Sequence, residues 1–145
     1  MTLAQELKGP VRIECDLTGA PRHDAHWIMA FTLTPRKEVE GRALWWGNKG
    51  AGYMLAVGWH DRISNELWRQ EKELQVSTKG PFTEAGRTRH VIAQFAPPHL
   101  LLVLDGQVSL DQNDADWLPG LDTVGFFSAW SKDYIDNVKV YTAGE

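Results

Sequence analysis

Val11-Arg12-Ile13-Glu14-Cys15-Asp16-Leu17-Thr18 sets Val11, Ile13, Cys15 and Leu17 against Arg12, Glu14, Asp16 and Thr18. Successive side chains on a strand point to opposite faces, so this stretch predicts a β-strand with one buried face and one wet one. The same kind of signal recurs along the chain. Short apolar runs bounded by Gly, Pro, Asn and Asp return about every eight to twelve residues, and helical periodicity is hard to find, which is an all-β rhythm.

Trp27 to Thr34 reads as a more deeply buried strand ended by Pro35, with a loop from Pro35 to Gly41. Gly52 to Trp59 predicts a strand with Tyr53, Leu55, Val57 and Trp59 on one face and the small set Gly52, Met54, Ala56 and Gly58 on the other. A face that small lets something bulky approach the sheet. Ile63 to Arg69 and Glu71 to Ser77 read as a hairpin turning near Gln70, and Lys79-Gly80-Pro81 breaks the chain. Thr88 to Phe95 and Leu100 to Leu104 flank Ala96-Pro97-Pro98, and Asp105-Gly106 then predicts a two-residue turn into Gln107 to Leu110. Asp111 to Gly120 reads as a polar surface loop with Trp117-Leu118 tucked onto the core, followed by strands at Thr123 to Trp130 and Tyr134 to Tyr141. The total is about nine or ten strands, with at most one short helix at Leu3 to Leu7. Strands of this kind form two packed sheets or a closed barrel, because one open sheet leaves a face and two edges unprotected.

A chain of 145 residues fits a single domain, residues 1–145. With 43% of residues hydrophobic and 23% charged it has the composition of a folded core, which excludes disorder through low hydrophobicity. Fifteen basic residues against nineteen acidic ones give a net charge of -4, with no basic run to neutralise many phosphates, so nucleic acid is not an expected partner. The one cysteine, Cys15, rules out an internal disulfide framework. Phe95 to Leu104, interrupted by Pro97, Pro98 and His99, is far short of the roughly 18 to 20 apolar residues a spanning helix needs, so no membrane partner is expected either. Met1 to Pro10 lacks an apolar leader core, which predicts a cytoplasmic chain as encoded, or an extracellular one if it is a module of a longer secreted protein. Oligomeric state stays open.

Gly52-Tyr53-Met54-Leu55-Ala56-Val57-Gly58 with Asn65-Glu66-Leu67-Trp68-Arg69, then Thr88-Arg89-His90-Val91 leading to Leu102-Val103-Leu104-Asp105-Gly106, form an ordered series. Val124-Gly125-Phe126-Phe127-Ser128-Ala129-Trp130 and Tyr134-Ile135-Asp136-Asn137-Val138-Lys139-Val140-Tyr141 close it. The series resembles the concanavalin A-like lectin/glucanase jelly roll, particularly its laminin-G-like and bacterial carbohydrate-associated members. The resemblance implies an antiparallel two-sheet β-sandwich. Many members bind glycans, some hydrolyse or cleave polysaccharides, and some only pack against a neighbouring domain.

Seven tryptophans are the unusual feature of the composition. An indole stacks on the apolar C–H face of a pyranose while the sugar hydroxyls need fixed polar partners nearby. Trp45 and Trp46 are adjacent, so on a strand at most one of them faces the core. Trp59 is followed by His60 and Asp61, and Trp68 by Arg69 with Asn65 just before. These eight residues are the candidate ligand-binding set for a poly- or oligosaccharide in a non-catalytic, carbohydrate-binding reading. Filling the space between two sheets is the competing role for every indole, and Trp27, Trp117 and Trp130 are assigned to it.

An enzyme of the same fold, a polysaccharide lyase or glycoside hydrolase, would draw on His26, His60, His90, Glu66, Glu71, Glu73 and Tyr134. Glu71-Lys72-Glu73 only partly matches the alternating acids of the glucanase branch and reads as a solvated hairpin. A protein-interaction module is the third reading. No cofactor is expected, although Asp111, Asn113, Asp114 and Asp116 carry oxygens suited to a structural Ca²⁺. Asp136-Asn137 is expected to fix a turn or strand end through side-chain to backbone bonds.

Overall fold

The computed structural model describes residues 9–20, 28–35, 52–129 and 133–142. Its strands are β1 (Val11–Thr18), β2 (Ile28–Thr34), β3 (Tyr53–Gly58), β4 (Ser64–Arg69), β5 (Lys72–Ser77), β6 (Thr88–Ala96), β7 (His99–Leu104), β8 (Gln107–Asn113), β9 (Thr123–Ala129) and β10 (Tyr134–Thr142). They make two five-stranded sheets, ordered β10-β1-β6-β7-β8 and β5-β4-β3-β2-β9. Every pairing between these strands is antiparallel. This is the all-β, two-sheet β-sandwich that the period-2 patterning predicts. The expected helix at Leu3 to Leu7 lies outside the described residues.

The alternation in β1 is realised directly, with Val11, Ile13, Cys15 and Leu17 buried between the sheets. There they meet Phe31, Leu33, Tyr53, Leu55, Leu67, Val91, Phe95 and Leu102 in one apolar cluster. Each large side chain taken wholly from water contributes about 1.5–3 kcal/mol, so this shared layer is what holds the two sheets together. Burial pushes the Cys15 thiol up to about 12, with the neighbouring Asp16 charge adding to the shift.

Turn chemistry sets the hairpins. Asp105 (φ 49°) and Gly106 (φ 77°) both take left-handed backbone, as a two-residue turn matched to strand twist requires. Gln70 (φ 52°) sits at the β4–β5 turn, where its amide donates to the Gly52 carbonyl at 2.8 Å. β8 runs three residues further than the sequence suggests, to Asn113, because pairing with β7 carries the ladder past the last apolar residue. Asp136-Asn137 fixes a mid-strand kink instead of a strand end. Asn137 (φ 52°) lies where the β1–β10 register shifts, its amide donates to Asp136 Oδ1 at 2.8 Å, and its Nδ2 donates to Asp16 Oδ2 at 2.7 Å.

Polar residues at core-facing positions are tied off. Arg89, 4% exposed, donates to the Phe82 carbonyl at 2.5 Å, to Glu84 at 2.6 Å and to Asp105 at 2.7 Å, so its charge is paired where β6 leaves the core.

Candidate functional site

The site lies on the outer face of the second sheet, the face turned away from the shared core. Cross-strand register defines it. Gly125, Thr32, Met54, Trp68 and Glu73 stand in one row across β9, β2, β3, β4 and β5, and Ala30, Ala56, Glu66 and Val76 in the next. Side chains in one such row share a face. Ala30, Met54 and Ala56 form a small apolar cluster, and Trp59 and Trp68, both half-buried, pack against it.

Trp59 reaches this face by a route that periodicity does not reveal. Strict alternation places it with Tyr53, Leu55 and Val57 on the core face. The structure corrects this, because β3 ends at Gly58, whose left-handed backbone (φ 73°) turns the chain into a single helical turn, α1 (Trp59–Arg62). An added Cβ at Gly58 would stand 2.2 Å from Thr83 Oγ1, so neither the conformation nor the space suits a larger residue. The turn sets the Trp59 ring beside Trp68, with centroids 5.8 Å apart and planes at 43°.

Glu66 supplies the fixed polar group. It is 3% exposed. Its Oε2 accepts from Trp68 Nε1 at 2.9 Å and its Oε1 from Ser64 Oγ at 3.1 Å. The indole is thereby locked at its nitrogen while one of its faces meets Trp59, and the carboxylate is anchored on residues of its own strand. Ser64 is not among the sequence candidates, although alternation along β4 places it on the face of Glu66 and Trp68. A cleft of about 530 Å³ opens at the β4–β5 turn, lined by Arg69, Gln70, Glu71 and Lys72, at the end of the hairpin that carries Trp68.

The other sequence candidates divide by parity. Asn65 and Arg69 alternate with Glu66 and Trp68 and therefore point to the opposite side, which corrects the expectation that they flank the indoles. Asn65, 0% exposed, accepts from the Gly58 amide at 2.9 Å and donates to the Pro81 carbonyl at 3.1 Å and Ser109 Oγ at 2.7 Å, stitching β4 to β8. Arg69 Nη1 donates to Asp114 Oδ1 at 2.5 Å. Asp114 Oδ2 accepts from the Tyr53 hydroxyl at 2.6 Å, and the Leu118 amide donates to that hydroxyl at 3.2 Å. Burial alone would raise the Asp114 carboxyl, but the bonds from Tyr53, Arg69 and the Asp116 amide, with the Arg69 charge, outweigh it and hold the group below its ordinary range. This network pins the loop after β8 and seats Trp117 on Tyr53, centroids 4.5 Å apart, as the expected packing role requires.

His60 and Asp61 lie in α1, but their side chains, like Trp45 and Trp46 altogether, are outside the described residues. Of the residues proposed for catalysis, His90 stands on the outer face of the first sheet, its Nδ1 3.4 Å from Asp16. Glu66 stands on the outer face of the second, with the sandwich core between them. Glu71 and Glu73 are exposed on the hairpin and Tyr134 is exposed at the start of β10, while His26 lies outside the described residues. Of the oxygens suited to Ca²⁺, those of Asp114 are taken by Tyr53 and Arg69, and Asp111 pairs with His99. Among the described residues no group of three or more His, Cys, Asp or Glu could hold a metal ion.

The two sheets and their strand order make this chain an antiparallel β-sandwich of the jelly-roll kind. It is similar to the metal-free Emp46p carbohydrate recognition domain, with a TM-score of 0.70 and 15% identity over 94% of this chain and 73% of that one. It is also similar to the carbohydrate binding module CBM66 from Bacillus subtilis, with a TM-score of 0.68 and 12% identity over 93% and 76%. A human galectin-16 variant gives a TM-score of 0.69 at 11% identity over 99% and 95% of the two chains. No protein-family model and no curated protein matches the sequence. Likeness at such identities carries the fold, and the site has to argue for function on its own.

Proposed function

We propose that this chain is a carbohydrate-binding module that stacks sugar rings on the indoles of the second sheet's outer face. The observation that carries the reading is the Trp59–Trp68 pair, half-buried at 5.8 Å and 43°, beside a carboxylate held by Trp68 Nε1 and Ser64 Oγ. A half-buried aromatic surface whose ring is held in place by the Glu66 bond is what the C–H face of a pyranose needs. Support also comes from the names of the similar structures, a carbohydrate recognition domain and a carbohydrate binding module. Trp45, Trp46, His60 and Asp61 belong to the proposed set. Asn65 and Arg69 do not, because their side chains are spent on the opposite face.

The test is a tryptophan fluorescence titration with soluble poly- and oligosaccharides, repeated on Trp59→Ala and Trp68→Ala. A saturable shift that either substitution weakens about tenfold, the equivalent of roughly 1.4 kcal/mol of aromatic contact, is the expected result. A flat response across the panel overturns the reading.

One observation favours a second reading, a protein-interaction module. On the outer face of the first sheet Ile92, Val103 and Val108 form a cross-strand aliphatic row, and Val108 is 60% exposed. Sedimentation velocity showing self-association that Val108→Lys abolishes would support it, and a monomer at all concentrations removes its self-association form.

A further inference from the structure

β10 ends the first sheet, and among the described residues no backbone hydrogen bond reaches Tyr134–Thr142 on the edge turned away from β1. The opposite edge of the same sheet is tied down, since Asp111 of β8 donates its amide to Gln75 Oε1 of β5 at 2.8 Å. Native proteins guard a free edge with charge and with kinks, because an open ladder invites any extended chain. β10 has both, in Asp136, Lys139 and the register shift at Asn137. It also carries Tyr134, 65% exposed, and Tyr141, 48% exposed.

The kink gives this edge a symmetry. Tyr134 and Asp136 share the outer face with Thr18 and Asp16, their partners on β1, and Lys139 and Tyr141 share it with Glu14 and Arg12. Strict alternation would send Asp136 and Lys139 to opposite faces, and the extra residue at Asn137 brings them to the same one. Exposed and half-buried positions consequently mirror each other about the Asn137–Val138 bond, with Asp136 matching Lys139, Ile135 matching Val140 and Tyr134 matching Tyr141. A second copy laid antiparallel on the edge therefore sets Lys139 of each copy opposite Asp136 of the other, pairs the tyrosines at both ends and brings Ile135 against Val140 on the core side. Neither charge is paired within the chain. Lys139 makes no ion pair among the described residues, its charge acting on Asp16 from beyond salt-bridge distance, and Asp136 accepts the Asn137 amide at 2.8 Å. Sliding the copies by one residue sets exposed positions against half-buried ones, and sliding by three brings Lys139 onto Lys139 or Asp136 onto Asp136, which like charges oppose.

We propose that two copies of this chain pair through β10, antiparallel about a two-fold axis at the Asn137–Val138 bond, joining their first sheets into one of ten strands. The pairing is independent of sugar binding and uses a different surface from the Ile92, Val103 and Val108 row. An edge of nine residues is a small interface, so the dimer is expected to be reversible.

Charge exchange between two variants tests it. Asp136→Lys makes the edge wholly positive and Lys139→Asp makes it wholly negative. Sedimentation velocity across a dilution series is expected to show a wild-type dimer, self-association about tenfold weaker in each variant, and recovery when the two are mixed in equal amounts, since opposite charges then meet at both positions. Thermal melts check that each variant folds, because Asp136 is bonded to the kink. A second test leaves both charges in place. Tyr134→Cys and Tyr141→Cys, oxidised together, are expected to form a cross-linked heterodimer, while neither does so alone, because the two positions face each other only between copies. Cys15 is buried and stays out of the reaction. A wild-type chain that is monomeric throughout the series overturns the proposal. So do charge variants that self-associate like wild type, a mixture that does not recover, cross-linking of Tyr134→Cys with itself, or a dimer lost in Val108→Lys and untouched by the changes on β10.

Discussion

The bond between Trp68 Nε1 and Glu66 Oε2 gives the sharpest test of how the site is built. Both residues lie on one face of β4, at 2.9 Å, with the carboxylate 3% exposed. A hydrogen bond to a charged acceptor contributes about 1.5–3 kcal/mol net, and a neutral one about half as much. Trp68→Phe removes the donor and trims the indole, so it is expected to cost about 2 kcal/mol for the bond and about 1 kcal/mol for lost apolar contact. Glu66→Gln keeps an acceptor and is expected to cost about 1 kcal/mol. In the double variant the bond is lost only once, so the cost is about 3 kcal/mol against a sum of about 4, a coupling of about 1 kcal/mol. Urea unfolding followed by far-ultraviolet circular dichroism measures all four proteins without relying on the substituted indole. Independent sites add to within about 0.3–0.5 kcal/mol, so additivity at that level would refute the idea that the carboxylate holds the ring.

Gly58→Ala is expected to lower the melting temperature by roughly 4–8 °C, since it forces a side chain into left-handed backbone and against Thr83 Oγ1 and costs about 2 kcal/mol; differential scanning calorimetry reads it. Asp114→Asn tests the network that pins the loop after β8. Because the folded carboxyl is held below the ordinary value of 3.8, its stabilisation is fully present above that pH and is lost as pH falls through the lowered folded value. The difference between wild type and variant, followed by denaturant melts from neutral pH downward, should hold constant and then shrink in acid, and a difference that grows in acid contradicts the assignment. Cys15, with its thiol raised from 9.0 to about 12, should react with iodoacetamide about a thousand times more slowly in the native chain than when unfolded, as mass spectrometry of timed quenches would show.

The strands and their faces are legible in the sequence because side-chain direction along a strand is a local property. Val11 to Thr18 declares its buried face by alternation, Asp105-Gly106 declares its turn through the backbone it needs, and the small face of Met54 and Ala56 is visible in the order of residues. A sandwich follows from many such strands with nowhere else to bury their apolar sides. The threonine face of β2 carries the same signal in Ala30, Thr32 and Thr34, where small and polar residues alternate with large apolar ones. What that alternation lacks is any statement of which face neighbours which.

Only the tertiary structure decides that Trp59 leaves the core side, because a left-handed Gly58 breaks the alternation one residue before the indole. It alone sets Trp68 beside Trp59 and in the row of Thr32, since cross-strand register joins residues far apart in the chain. Asn65 and Arg69 look like site residues from their proximity to Trp68 along the chain, yet a strand sends neighbours to opposite faces, and their partners Ser109 and Asp114 sit on or just beyond β8, in the other half of the fold. Composition and periodicity therefore determine which side chains are buried and which elements form. Which polar groups meet, and which remain for a ligand, depends on contacts between distant strands, and those exist only once the two sheets have closed on each other.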